Sequence, residues 1–107
     1  MKRKATYERD NLVVNLMITA RGEENALSAK SIAEYLTKNG YKTQTKYIGT
    51  LINNIMYERK IPICYINAKG YYWAKSKLEI KKTISDLESR ISALKDHIAH
   101  LEIFMID

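Results

Sequence analysis

From Ile80 onward the apolar residues recur with a regularity that leaves little choice of structure. Ile80, Ile84, Leu87, Ile91, Leu94, Ile98, Leu101 and Met105 follow one another at alternating steps of four and three. That is the heptad seam of an α-helix, with Ile84, Ile91 and Ile98 at a and Ile80, Leu87, Leu94 and Leu101 at d. At 1.5 Å per residue the seam runs for about 40 Å. It demands a partner helix, and isoleucine at a with leucine at d favours two strands. The e positions are Lys81, Glu88, Lys95 and Glu102; the g positions are Thr83, Arg90, His97 and Phe104. Parallel pairing brings Arg90 near Lys95 of the other chain. Antiparallel pairing instead sets Lys81 beside Glu102 and Glu88 beside Lys95, at about 0.5 kcal/mol for each exposed pair. A homodimer with antiparallel pairing is therefore favoured. The competing arrangement folds the helix back on the chain's own first helix, but the seam outruns that shorter element.

Charge separates this tail from the rest. The 107 residues carry a net charge of +6. Residues 1–75 hold 13 Lys and Arg against 6 Asp and Glu, net +7, and residues 76–107 hold 5 against 6, net −1. A basic head attracts polyanions, of which nucleic acid is the commonest. The hydrophobic share of 46% suffices for a modest core. Apolar runs are too short to cross a membrane, and MKRKATYERD is not followed by the apolar stretch of a signal peptide. The single cysteine, Cys64, lies in the apolar run IPICYI and reads as a small core residue. A cytoplasmic location is expected.

Taken in order, Lys2, Arg3 and Lys4 open the chain as a basic arm or a frayed end. Tyr7 to Ala20 is predicted helical, with Leu12, Val13, Leu16, Met17 and Ala20 as its buried stripe and Thr6 as N-cap. After a polar break at Arg21–Asn25, Ser28 caps a second helix, with Leu27 and Ile32 as a hydrophobic staple. Asn39-Gly40 ends it. A third helix follows over Thr43–Lys60 with Thr43 as its cap. Ile48, Leu51, Ile52, Ile55 and Met56 fall on one face. The opposite face carries Thr45, Lys46, Gly49, Thr50 and Asn53: short polar groups and one lysine, with the glycine allowing close approach, which suit a helix lying against another molecule. Asn, Gln, Thr and Lys all have partners on base edges in a DNA major groove.

Ile61–Ile66 and Tyr71–Ala74 are rich in β-branched and aromatic residues and flank Asn67-Ala68-Lys69-Gly70, which predicts a β-hairpin with Lys69 at its tip. The aromatics Tyr65, Tyr71, Tyr72 and Trp73 read as strand packing, with stacking on single-stranded nucleic acid as the alternative. Three helices followed by a basic-tipped hairpin resemble the winged helix-turn-helix family. The resemblance covers about Tyr7 to Ala74 and rests on LSAKSIAEYL, TQTKYIGTLINNI and IPICYINAKGYYWA. The chain looks like small winged-helix regulators and replication-associated proteins of Gram-positive bacteria and their phages. It departs from the compact pattern at Leu36, which is followed by Thr37-Lys38-Asn39 before Gly40 and so lengthens the second helix or its turn. The resemblance implies that the third helix enters the major groove and the wing tip meets phosphate or the minor groove. Carried over by position, Gln44, Thr45, Lys46, Thr50 and Asn53 face base edges, Thr43 is a cap and phosphate ligand, and Lys69 is the wing contact.

The expected fold class is α+β, mainly α: a winged helix-turn-helix head over 1–75 and a coiled-coil dimerisation helix over 76–107. No phosphate-cradling glycine loop, nucleophile set or paired acids in an apolar setting occur in the sequence, so an enzyme is not expected and no cofactor is implied. His97 and His100 lack a third ligand at metal spacing. The leading expectation is a dimeric regulator of a phage or mobile element that binds double-stranded DNA sequence-specifically and acts by steric occlusion. The alternatives are a protein that binds and inhibits a host protein, and a replication-initiation accessory factor.

Overall fold

The computed structural model describes residues 4–106. Four helices and one hairpin follow in the order α1 (Lys4–Thr19), α2 (Ala29–Lys38), α3 (Ile48–Arg59), β1 (Ile63–Ile66), β2 (Gly70–Trp73) and α4 (Lys77–Ile103). Short 3-10 turns at Glu23–Asn25 and Thr45–Tyr47 precede α2 and α3. The protein is mainly helical, with a two-stranded antiparallel sheet and a long C-terminal helix. Lys2 and Arg3 of the expected basic arm lie outside the described residues.

Amphipathic spacing decides how the first three helices meet. Val13, Met17 and Ala20 from α1 and its end, Ile32, Ala33 and Leu36 from α2, and Ile48, Leu51, Ile52 and Ile55 from α3 form one buried cluster. Each fully buried Ile, Leu, Val or Met in it contributes about 1.5–3 kcal/mol relative to exposure. Ser28 caps α2 as predicted: its hydroxyl accepts from the Ser31 N–H at 3.1 Å. Two other predicted caps are displaced. The first helix begins at Lys4, so Thr6 lies inside it. The third begins later than expected, after the Thr45–Tyr47 turn, and Thr43 does not cap it. The Thr43 hydroxyl instead donates to the Tyr41 carbonyl at 2.7 Å, and its N–H donates to the Thr37 hydroxyl at 3.2 Å. Thr43 thereby ties the α2–α3 connection to α2.

The hairpin register pairs Ile63 with Trp73, Cys64 with Tyr72, Tyr65 with Tyr71 and Ile66 with Gly70. Period-two alternation gives it two working faces. Ile63, Tyr71 and Trp73 roof the helical cluster. Cys64, Tyr72 and Ala74 are buried on the other side with Ala26, Ile66 and Ile80 of α4. Cys64 is thus a core residue, as its apolar setting predicts.

The outer edge of β2 is also paired. Leu27 and Tyr71 exchange N–H···O bonds of 2.8 Å in both directions, the Trp73 N–H donates to the Ala20 carbonyl at 2.8 Å, and the Gly22 N–H donates to the Trp73 carbonyl at 2.9 Å. The α1–α2 connection, expected only as a polar break, acts as a third strand in all but length. Gly70 makes this possible. Its φ of +112° is a conformation that L side chains rarely adopt, and its α-carbon faces the Leu27 carbonyl at a distance that leaves no room for a Cβ.

Ser76 caps α4, accepting from the Glu79 N–H at 3.3 Å. The helix packs against β1 through its first turns, where the Tyr72 and Thr83 hydroxyls meet at 3.4 Å. It does not fold back along α1. Beyond Thr83 every described residue of α4 is exposed, and the molecule is elongated at 55 × 32 × 27 Å.

Candidate nucleic-acid interface

The buried face of α3 fixes what its other face offers. With Ile48, Leu51, Ile52 and Ile55 inward, Thr50, Asn53 and Asn54 point to solvent. Thr45 and Lys46 are exposed on the preceding turn, where the Lys46 ammonium lies 5.1 Å from the centre of the Tyr47 ring. At an exposed site such a contact is worth about 0.5–1 kcal/mol. Tyr47 and Tyr57 are themselves 56% and 78% exposed, which adds aromatic surface to the same element.

The residues assigned to DNA from the sequence are divided between two surfaces. Thr43, Gln44 and Thr45 line an open hollow against α2, together with Lys30, Thr37 and Lys38. Lys42 is exposed beside it. Lys30 and Lys38 stand two turns apart on α2, a spacing visible in the sequence, yet neither was expected in the site. Glu34 is the carboxylate of that hollow. Asn53 lies on the other side of α3, where with Gly49 it borders a cavity of about 210 Å³ between α3, β1 and the first turns of α4.

Gly49 was expected to permit close approach of another molecule. Here the close approach is internal: a Cβ at Gly49 would stand 3.2 Å from the Tyr71 hydroxyl. The glycine therefore lets the hairpin lie tight against α3. The Tyr65 and Tyr71 rings pack together with centroids 4.8 Å apart. Burial first, and then the neighbouring Tyr65, pushes the Tyr71 phenol above its ordinary pKa.

At the hairpin tip, Lys69 is not a free cation. Its ammonium lies 3.7 Å from the Glu23 carboxylate, which also takes Lys82 of α4 at 3.2 Å. Next to it, Lys75 hydrogen-bonds Glu24 at 2.7 Å; that bond holds the Glu24 carboxyl below its usual value and raises the Lys75 ammonium. Glu79 joins the cluster by accepting from the Glu23 and Lys75 backbone N–H groups at 2.9 and 2.8 Å. The acidic 3-10 turn thus neutralises the hairpin tip and fastens it to α4. Lys30, Lys38, Lys42 and Lys46, all exposed, form a basic group around the α2–α3 turn. Asp10, buried within α1, pairs with Arg9 at 3.2 Å and belongs to the core side of the helix.

No group of three or more metal-ligating side chains occurs among the described residues, and no helix among them is long and apolar enough to cross a membrane. Comparison with protein-family models, curated proteins and solved structures finds no match to this chain.

Proposed function

We propose that the chain is a dimeric winged-helix protein that binds duplex DNA, with α3 and the preceding turn in the major groove. The observation that carries this reading is the solvent-facing surface of α3 and the turn before it: Thr45, Lys46, Thr50 and Asn53 are exposed, and Thr45 shares a hollow with Lys30 and Lys38 of α2. Three helices followed by a hairpin, with a strand-like segment between α1 and α2 pairing with β2, support the winged-helix reading. In this reading Lys46, Lys30 and Lys38 meet phosphate, while Gln44, Thr50 and Asn53 read base edges. Thr43 shapes the turn. Lys69 contacts DNA only if phosphate displaces Glu23.

The dimer rests on α4. Ile84, Leu87, Ile91, Leu94, Ile98 and Leu101 are 48–61% exposed along one helix face, an apolar stripe that a second copy covers in the antiparallel sense favoured by its e positions. Two heads held by one rod occupy two half-sites, which suits steric occlusion by a regulator of a phage or mobile element.

Fluorescence anisotropy on mixed duplex fragments from about 50 to 300 mM salt tests the proposal. Tight binding whose log K falls linearly with log salt is expected, and Lys46→Ala reduces the slope by about 1. An absence of binding at the lowest salt refutes it. A second reading, a module that binds a host protein, draws on the neutralised wing tip and the long apolar stripe. One stoichiometric protein partner together with no DNA binding would select it.

A further inference from the structure

We propose that Phe104 of a second copy seats in the cleft between α3, β1 and α4, so that each head is completed by the other chain's C-terminus. The proposal rests on the antiparallel dimer above, and its readout, self-association, requires no DNA. The cleft is an open cavity of about 210 Å³ walled by Ile52, Met56, Ile63, Tyr65, Tyr71 and Leu87. Asn53, Asp86 and Arg90 also line it, and its volume exceeds the about 150 Å³ that holds a benzene ring in an enclosed apolar cavity. The cleft follows the outer edge of β1, which is unpaired, whereas β2 is paired on both sides. Among the described residues the Tyr71 hydroxyl has no hydrogen-bond partner.

Two features of α4 aim the other chain's end at this cleft. First, Thr83 and Arg90, both g positions, line it, so it opens on the g flank of the seam. Second, Phe104 is itself a g residue and continues the helical path, its N–H donating to the Leu101 carbonyl at 3.0 Å. In antiparallel pairing the seam layers are Ile84 with Leu101, Leu87 with Ile98 and Ile91 with Leu94. The e flank then carries Lys81 with Glu102 and Glu88 with Lys95, the complementary charges. On the g flank the same register sets Thr83 opposite Phe104 and Arg90 opposite His97. The ring therefore arrives at the mouth of the cleft. Phe104, Met105 and Ile106 are 85%, 82% and 79% exposed in one chain, three consecutive apolar residues that no contact within the chain explains.

The test uses the full chain, with sedimentation equilibrium as readout and circular dichroism as a folding control. Phe104→Ala is expected to raise the dimer Kd about a hundredfold, because two rings are lost per dimer. Met56→Ala, on α3 and outside the seam, is expected to raise it about tenfold, and to have no effect once Phe104 is replaced. A Met56→Ala effect that persists in Phe104→Ala overturns the proposal, as does the absence of any Met56→Ala effect. Independently, in a Cys64→Ala background, Thr83→Cys with Phe104→Cys should form an interchain disulfide under mild oxidation while neither single variant does. Cross-linking by Phe104→Cys alone indicates parallel pairing and overturns the proposal while leaving a dimer. A monomeric wild-type chain instead removes the dimer itself.

Discussion

Gly70→Ala is the sharpest perturbation of the fold that presents the α3 surface. A Cβ at this position would run into the Leu27 carbonyl, 2.6 Å from its carbon and 2.8 Å from the Ser28 α-carbon. These are backbone atoms, so no side-chain rotation relieves the contact. The neighbouring Leu27–Tyr71 bonds, 2.8 Å in each direction, would have to open. Two hydrogen bonds at about 1 kcal/mol each, and about 1–3 kcal/mol for an L-residue held at φ +112°, give a loss of about 3–5 kcal/mol. Against a total stability of about 5–15 kcal/mol that is a large fraction. In urea, with a slope near 2 kcal/mol/M, the midpoint should fall by roughly 2 M at fixed protein concentration. Gly40→Ala is the control. Its φ is +93°, but nothing stands within 4 Å of the added Cβ, so only backbone strain of about 1–2 kcal/mol is expected. Equal effects of the two substitutions, or a Gly70→Ala loss below about 1 kcal/mol, would refute the view that β2 is locked to the α1–α2 connection.

Ser28→Ala removes the cap on α2 and should cost about 1 kcal/mol in denaturant titration, with an unchanged slope. Leu94→Asp places a charge in the middle of the α4 seam and should yield a folded monomer by sedimentation; a dimer that survives would remove the seam from the interface. Glu24 is held below its ordinary pKa by Lys75, so its contribution is fully present above the unfolded value and is lost as pH falls through the folded one. The Tm difference between wild type and Glu24→Gln should therefore shrink on acidification below about pH 4. A difference that grows there would contradict the assignment. Because the pair is exposed, the effect is small at every pH.

Much of the helical framework was legible because helices carry their signals locally. The stripe Ile48, Leu51, Ile52 and Ile55, the Ser28 cap and the heptad steps of α4 all lie within a few residues of the groups they organise. The same holds for the hairpin, where β-branched and aromatic runs flank a short polar loop. Errors fell where a local signal was ambiguous. Thr43 has a capping side chain, but its hydroxyl is taken by Tyr41 and the helix starts later. Thr6 was overtaken because α1 begins at Lys4.

Sequence by itself determined the periodicities: which faces are apolar, where the chain turns, and that the tail carries a heptad stripe. Tertiary structure alone decided which distant segments meet. It pairs Leu27 with Tyr71, sets Gly49 under the Tyr71 hydroxyl, lays Glu23 between Lys69 and Lys82, and turns the first heptad of α4 onto β1. None of these has a sequence signature, because each joins groups far apart in the chain whose approach depends on the docking of whole elements. A lysine at a hairpin tip looks the same in sequence whether solvent or a carboxylate faces it. Only the fold supplies the carboxylate.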